Sequence, residues 1–344
     1  VGVGDVRSAQ HLFLGGTGNI SSACVDRALA CGHAVGILTR GRRTTPPGVL
    51  PIVGDRDDPA ALARAAAGRW DVVADFLAYT PAQVESALVA FAGKTGQYVF
   101  VSTAAAYDKV NGLLPIRETN PLANPFWEYA RLKIACEEAV RRAHAGGRVP
   151  CTIVRPSYTY GPTWIPTGFG GQDYTVVDRM RRGLPVVCPG DGTALWVMTH
   201  ADDFAVGFVG LFGHPGALGE AVHVTSDEVL TWDAIHREIA RAAGVEARLV
   251  HVPSALVAAI VPEKGGSLLG DKAHCSVFDN AKIRGLVPDF APGVRFAEGI
   301  ARSVAWFDAD PARRTVNPEA QRAIERVLAA WGRAWEGLPD DSPR

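Results

Sequence analysis

Three observations predict an α/β protein built on a doubly wound parallel sheet with a smaller mixed α/β part after it. Short apolar runs alternate with amphipathic stretches at helical period from His11 to about Arg155, the first run enters a glycine turn, and after Arg155 the pattern loosens. With 344 residues, 47% of them hydrophobic, the chain has apolar material for one large domain or two closely packed ones.

In order, the strands are expected at His11–Leu14, Ala34–Thr39, Pro51–Val53, Val72–Phe76, Gln97–Ser102 and Thr152–Arg155. Helices are expected between them at Ile20–Cys31, Pro59–Ala67, Pro81–Phe91 and Trp127–Ala145, the second and third opening on Pro in the first turn, where a missing N–H costs nothing. A Gly/Pro/Tyr-rich segment from Pro156 to Asp173 reads as a loop lining a site. Helices near Tyr174–Arg182, Asp202–Phe212, Thr231–Ala243, Arg295–Phe307 and Pro318–Trp335 then alternate with strands near Ala221–Val224 and Leu249–Val252. Residues 10–155 thus form a nucleotide-binding part to which 201–225 return, 156–200 and 226–335 a substrate part, and 336–344 a polar tail.

Thirty-five Lys and Arg against 36 Asp and Glu give a formal charge of −1, so there is no general pull toward nucleic acid or anionic lipid. The local cationic cluster is Arg40, Arg42 and Arg43. Six cysteines without a C-x-x-C pair read as free thiols of a cytoplasmic protein. Apolar stretches such as Ala255–Val261 fall short of the ~18 residues of a membrane span, and the N-terminus lacks a signal-peptide pattern, although a start at Val leaves a removed leader open. His200, His223, His236, His251 and His274 show no ligand spacing, so no metal is expected.

Leu12-Phe-Leu-Gly15-Gly-Thr17-Gly18-Asn19-Ile20-Ser21 places a glycine turn between a strand and a helix. Gly15 permits the tight turn, Gly18 lets backbone approach a pyrophosphate, and the helix offers free N–H groups to the anion; an ordinary βα turn is the alternative. At the end of the second strand, where an acid would accept hydrogen bonds from a free adenosine ribose, stand Thr39 and Arg40. That favours NADP, with NAD possible if the basic loop is merely solvated. Asp55 and Arg56 are placed to flank the adenine, or form an exposed loop pair. Tyr129 and Lys133, four apart on the longest helix of the first half, share a face, and an ammonium beside a phenol favours the phenolate.

With Val99-Phe-Val-Ser-Thr103-Ala-Ala-Ala-Tyr107, Arg155-Pro-Ser-Tyr-Thr-Tyr-Gly-Pro162, Gly190-Asp-Gly192 and His200-Ala-Asp-Asp203, these motifs resemble the extended short-chain dehydrogenase/reductase superfamily, which includes nucleotide-sugar epimerases and dehydratases. The resemblance implies a Rossmann-like fold, Thr103 on the reacting oxygen, Tyr129 as acid and base, Lys133 lowering its pKa, and a homodimer through the helices at Pro81–Phe91 and Trp127–Ala145. Expected cofactor contacts are Gly15, Thr17, Gly18, Asn19, Ile20, Arg40, Asp55, Arg56, Leu77, Ala78, Lys133 and Pro156; expected substrate contacts are Thr103, Tyr107, Tyr158, Trp196 and His200.

The chain departs from that pattern in three places. Ser21 replaces the third glycine; Ala104-Ala105 replace the Asp-Glu pair of 4,6-dehydratases, which argues against dehydration; Trp196-Val197 replace an Arg-Asp that binds a diphosphate, a loss that Arg179, Arg181 or Arg182 would have to offset. The expected activity is epimerisation of a sugar or nucleotide-sugar carbinol by reversible hydride transfer. An NADPH-dependent ketoreductase or alcohol dehydrogenase, and a non-catalytic RNA-binding relative, are the alternatives.

Overall fold

The computed structural model describes residues 8–335; the expected tail at 336–344 lies outside the described residues. Among the described residues twelve strands are formed: β1 Gln10–Leu14, β2 Ala34–Thr39, β3 Val49–Val53, β4 Trp70–Asp75, β5 Thr95–Val101, β6 Cys151–Pro156, β7 Tyr158–Tyr160, β8 Val186–Pro189, β9 Leu195–His200, β10 Ala221–Val224, β11 Val229–Thr231 and β12 Leu249–Val252. Seven make one sheet in the order β10-β6-β5-β4-β1-β2-β3, with every pair parallel. Strand order reverses between β1 and β4, and the register Leu14↔Leu38 and Leu14↔Asp75 aligns three strand ends at that switch point, where a ligand crevice opens.

The helices are α1 Ser21–Ala30, α2 Pro59–Ala65, α3 Pro81–Phe91, α4 Glu128–Ala145, α5 Thr175–Arg181, α6 Ala201–Gly210, α7 Trp232–Ala242, α8 Ser254–Ile260, α9 Pro262–Ser267, α10 Ala281–Leu286, α11 Phe296–Asp308 and α12 Pro318–Trp335. On one face of the sheet α1 packs on α6, on the other α3 packs on α4. β1 is apolar on both sides, as a covered parallel strand must be: Leu12 and Leu14 enter one core and Phe13 the other. The Thr80 hydroxyl accepts from Gln83 N–H at 3.3 Å while the Gln83 side chain accepts from Thr80 N–H at 3.2 Å, a reciprocal cap that starts α3. A buried ion pair, Arg155 Nη2 to Glu137 Oε2 at 2.6 Å, ties α4 to β6.

After β6 the chain builds a three-stranded sheet, β11-β9-β7, and a parallel pair, β12-β8, around a third core that includes Trp196, Trp232 and Phe296. The segment from Pro156 to Asp173, read as a loop, contains β7. Sequence pattern does not reveal β7, nor β8, β9 and β11, which pair in two small sheets outside the repeating strand–helix units. Helices α8, α9 and α10 are likewise additions, and Leu268–Lys272 form one turn of π-helix. Among the described residues, no helix is long and apolar enough to cross a membrane.

Candidate active site

The switch point opens into a cleft of about 890 Å³ lined by the glycine turn, the ends of β2 and β4, and the start of α4. Gly15 has φ +83°, and a Cβ there would stand 2.6 Å from Leu77 Cγ, so both the turn and its packing on the β4 end require glycine. Ser21 is buried in place of the third glycine, and its Oγ accepts from the Gly18 N–H at 2.9 Å. Asn19 bridges to β7 and the residue after it: Oδ1 accepts from Gly161 N–H at 3.0 Å and Nδ2 donates to Thr159 O at 3.4 Å. Thr17, Ile20, Leu77 and Pro156 line the cleft, while Ala78 is buried and presents its carbonyl to Lys133.

At the end of β2, Thr39 is buried and Arg40, Arg42 and Arg43 are exposed along the cleft. Arg43 Nη1 donates to Thr17 O at 2.7 Å, folding one guanidinium over the glycine turn. The exposed Asp-Arg loop pair does not form. Asp55 accepts from Asp57 N–H at 3.0 Å, but Arg56 is 4% exposed and its Nη2 donates to Asp75 Oδ2 at 2.8 Å. Asp75 also accepts from Tyr98 Oη at 2.8 Å and from the N–H groups of Leu77 and Ala78, which draws the Arg56 side chain inward. Arg56 Nε and Nη1 are buried without a partner among the described residues, and such donors call for an acceptor. These orphaned donors, the glycine turn and the three exposed arginines fit a dinucleotide in the cleft.

Tyr129 and Lys133 line the same cleft from α4. Burial raises the Tyr129 phenol to about 12, opposed by a hydrogen-bonding contact with the Thr103 hydroxyl and reinforced by Tyr79 and Asp271. The expected lowering of the phenol by Lys133 is not what the geometry gives. Lys133 Nζ donates to Ala78 O at 2.7 Å and Val101 O at 2.8 Å and sits 4.8 Å over the Tyr79 ring, so the ammonium is anchored on two carbonyls and that ring and not on the Tyr129 hydroxyl. Burial lowers Lys133 to about 8, with Asp75 pulling the other way.

Thr103 is almost fully buried; its Oγ1 accepts from Ala105 N–H at 3.1 Å and starts the turn Ala104–Ala106. Asn124, not singled out by sequence, organises this end. Its Nδ2 donates to Ala105 O at 3.0 Å and Gly270 O at 2.7 Å, while Oδ1 accepts from the N–H groups of Phe126 and Trp127 that begin α4. Tyr79 also escapes the sequence reading, although its place just past the end of β4 is a signal that the fold supplies.

The expected substrate residues are dispersed. Tyr107 is 1% exposed, its hydroxyl 3.1 Å from His223 Nδ1 and its ring under Arg155, so it is packed beneath the site. Trp196 is buried, with Nε1 donating to His274 O at 2.9 Å. His200 is buried against Tyr160, and its Nδ1 accepts from Asp202 N–H at 3.3 Å. Tyr158 is half-buried, its hydroxyl donating to Thr167 O at 2.9 Å, and it neighbours the cleft through Trp164. The arginines of α5 and its C-cap are engaged elsewhere: Arg179 Nε with Pro185 O at 2.9 Å, Arg181 with Asp308 at 2.7 Å, and Arg182 with Asp178 at 3.1 Å. Arg179, one of the three that would have to offset the missing diphosphate arginine, is buried.

A seven-stranded doubly wound sheet with a glycine turn at its switch point, and a tyrosine and lysine on one helix beside it, defines an extended short-chain dehydrogenase/reductase. Residues 12–224 match the model of the NAD dependent epimerase/dehydratase family, and the chain belongs to that family. It is 30% identical over 282 residues, 81% of this chain and 79% of the relative, to 2'-dehydrokanamycin reductase of Streptomyces kanamyceticus. Its fold is that of an epimerase from Methanothermobacter thermautotrophicus, with a TM-score of 0.75 at 18% identity over 89% of this chain and 94% of the other. It is also that of the Thermus thermophilus UDP-glucose 4-epimerase in complex with NAD, with a TM-score of 0.67 at 23% identity over 87% and 99% of the two chains.

Proposed function

We propose that the protein is an NADPH-dependent reductase of a ketone on a sugar-like ring. The observation that carries this reading is the end of β2, where Arg40, Arg42 and Arg43 line the cleft and buried Thr39 stands in place of an acid, so a 2′-phosphate meets positive charge. The likeness to a reductase over most of the chain supports it, and moves the preference from epimerisation to net reduction.

When bound, the cofactor supplies the hydride. The chain's own groups handle the oxygen: the Thr103 hydroxyl binds it, and Tyr129, which keeps its proton with a pKa of about 12, gives that proton to it as charge develops. Lys133, held by two carbonyls in the same cleft, supplies positive charge there as the Tyr129 proton leaves. Epimerisation is the second reading, favoured by the Thr103-Ala104-Ala105 run, which lacks the carboxylates of an eliminating enzyme.

Releasing and identifying the nucleotide that co-purifies tests both. A protein that is empty, or holds a 2′-phosphorylated nucleotide and binds NADPH more tightly than NADH, is the expected result. Stoichiometric tightly held NAD⁺ would overturn it in favour of an internally recycled hydride.

A further inference from the structure

Away from the cleft, three side chains that share no sequence motif converge. Cys188 on β8 and His251 on β12 are register partners in the parallel pair, and Asp233 enters from the first turn of α7. His251 Nε2 lies 2.6 Å from Asp233 Oδ1, Cys188 Sγ lies 3.7 Å from the same oxygen, and all three donor atoms fall within 4.8 Å of one another. A tetrahedral ion bonded at ~2.0–2.3 Å holds its donors roughly 3.3–3.8 Å apart, so small side-chain rotations would complete the geometry.

A glycine turn lies directly against the cluster. Gly192, at φ +79°, closes the turn over the cluster; a Cβ there would overlap Asp233 Oδ1 and stand 2.8 Å from His251 Nε2. Asp191, on the same turn, has its Oδ1 engaged by the N–H and hydroxyl of Thr193 at 2.9 and 2.7 Å. The second Asp233 oxygen is fixed by Arg237 at 2.9 Å, which orients the carboxylate. Cys188 is fully buried and His251 is 40% exposed, so an ion would have a protein side and a solvent side.

We propose that Cys188, Asp233 and His251 form a binding site for a divalent ion of the zinc type, with a water in the fourth position. A thiolate, an imidazole and a carboxylate are a donor set for Zn²⁺ and not for Mg²⁺ or Ca²⁺, which take oxygen. Coordination forms the sulfur–metal bond as the thiol proton leaves to solvent, so affinity rises with pH. The ion clamps the β8–β12 pair to α7. The Trp232 indole next to Asp233 donates to Lys272 O at 3.0 Å, so the clamp also braces the π-helical turn.

The test is a Co²⁺ titration of the full-length protein after chelator treatment and dialysis, followed by absorption. One Co²⁺ per chain is expected, with a near-ultraviolet thiolate-to-cobalt band that Zn²⁺ abolishes and that is missing in Cys188→Ser. His251→Gln, at a half-exposed position, is expected to weaken binding at least ~10-fold while leaving the circular dichroism of the metal-free protein unchanged. No thiolate band at saturating Co²⁺ would overturn the proposal. So would a band that survives Cys188→Ser, which would trace the metal to another thiol, or Zn²⁺ affinity equal in all three proteins.

Discussion

Asn124 Nδ2 and Gly270 O are hydrogen-bonded at 2.7 Å, and a Cβ on Gly270 would overlap the Asn124 amide. The same amide holds the Thr103 turn through Ala105 O and the start of α4, so one buried side chain joins three segments that meet at Tyr129. Asn124→Ala leaves two buried carbonyls and two N–H groups without this partner. It is expected to destabilise the protein by about 1–3 kcal/mol in urea unfolding. An unchanged midpoint would mean that water replaces the amide.

Tyr129→Phe removes the proposed proton donor while keeping the ring against Trp127, 4.8 Å between centroids. Turnover in a reductase assay is expected to fall by at least ~10²-fold, with NADPH binding retained. Near-normal turnover would move the acid to another residue.

Arg40→Asp places an acid where the ribose 2′ position is expected. NADPH affinity should drop at least ~10-fold relative to NADH, since attraction becomes repulsion. An unaltered ratio in fluorescence titration would show that Arg42 and Arg43 suffice without it.

Lys133 tests linkage. Its folded pKa of about 8 lies below the ordinary 10.5, mainly through burial, so between those values the unfolded chain holds a proton that the folded chain has released. Stability therefore rises with pH across the window, by up to ~1.4 kcal/mol per pH unit from this group. Lys133→Met should abolish that increment when urea midpoints of the two proteins are compared across the window; parallel curves would refute it.

Much of the first half is legible in the sequence because each strand–helix unit is local: the glycine turn, the Pro-started helices and the i, i+4 pair Tyr129/Lys133 need no distant partner to be read. What escapes depends on long-range closure. Asn124 finds its carbonyls 19 and 146 residues away, and Arg56 turns inward only because Asp75 arrives beside it from β4. Tyr107, Trp196 and His200 show the same limit: an aromatic ring suits a core as well as a ligand, and here burial claims all three.

β10 completes the sheet beside β6, although α5, α6 and β7–β9 intervene in the chain. The strand ladder is thus closed by a segment that departs and comes back at neighbouring positions, and the strands of the excursion pair outside the seven-stranded sheet. A lineage can lengthen, trim or exchange such a graft while inheriting the nucleotide crevice intact. Divergence in what these proteins act upon is therefore expected to accumulate in the excursion, and the strands beneath to change slowly.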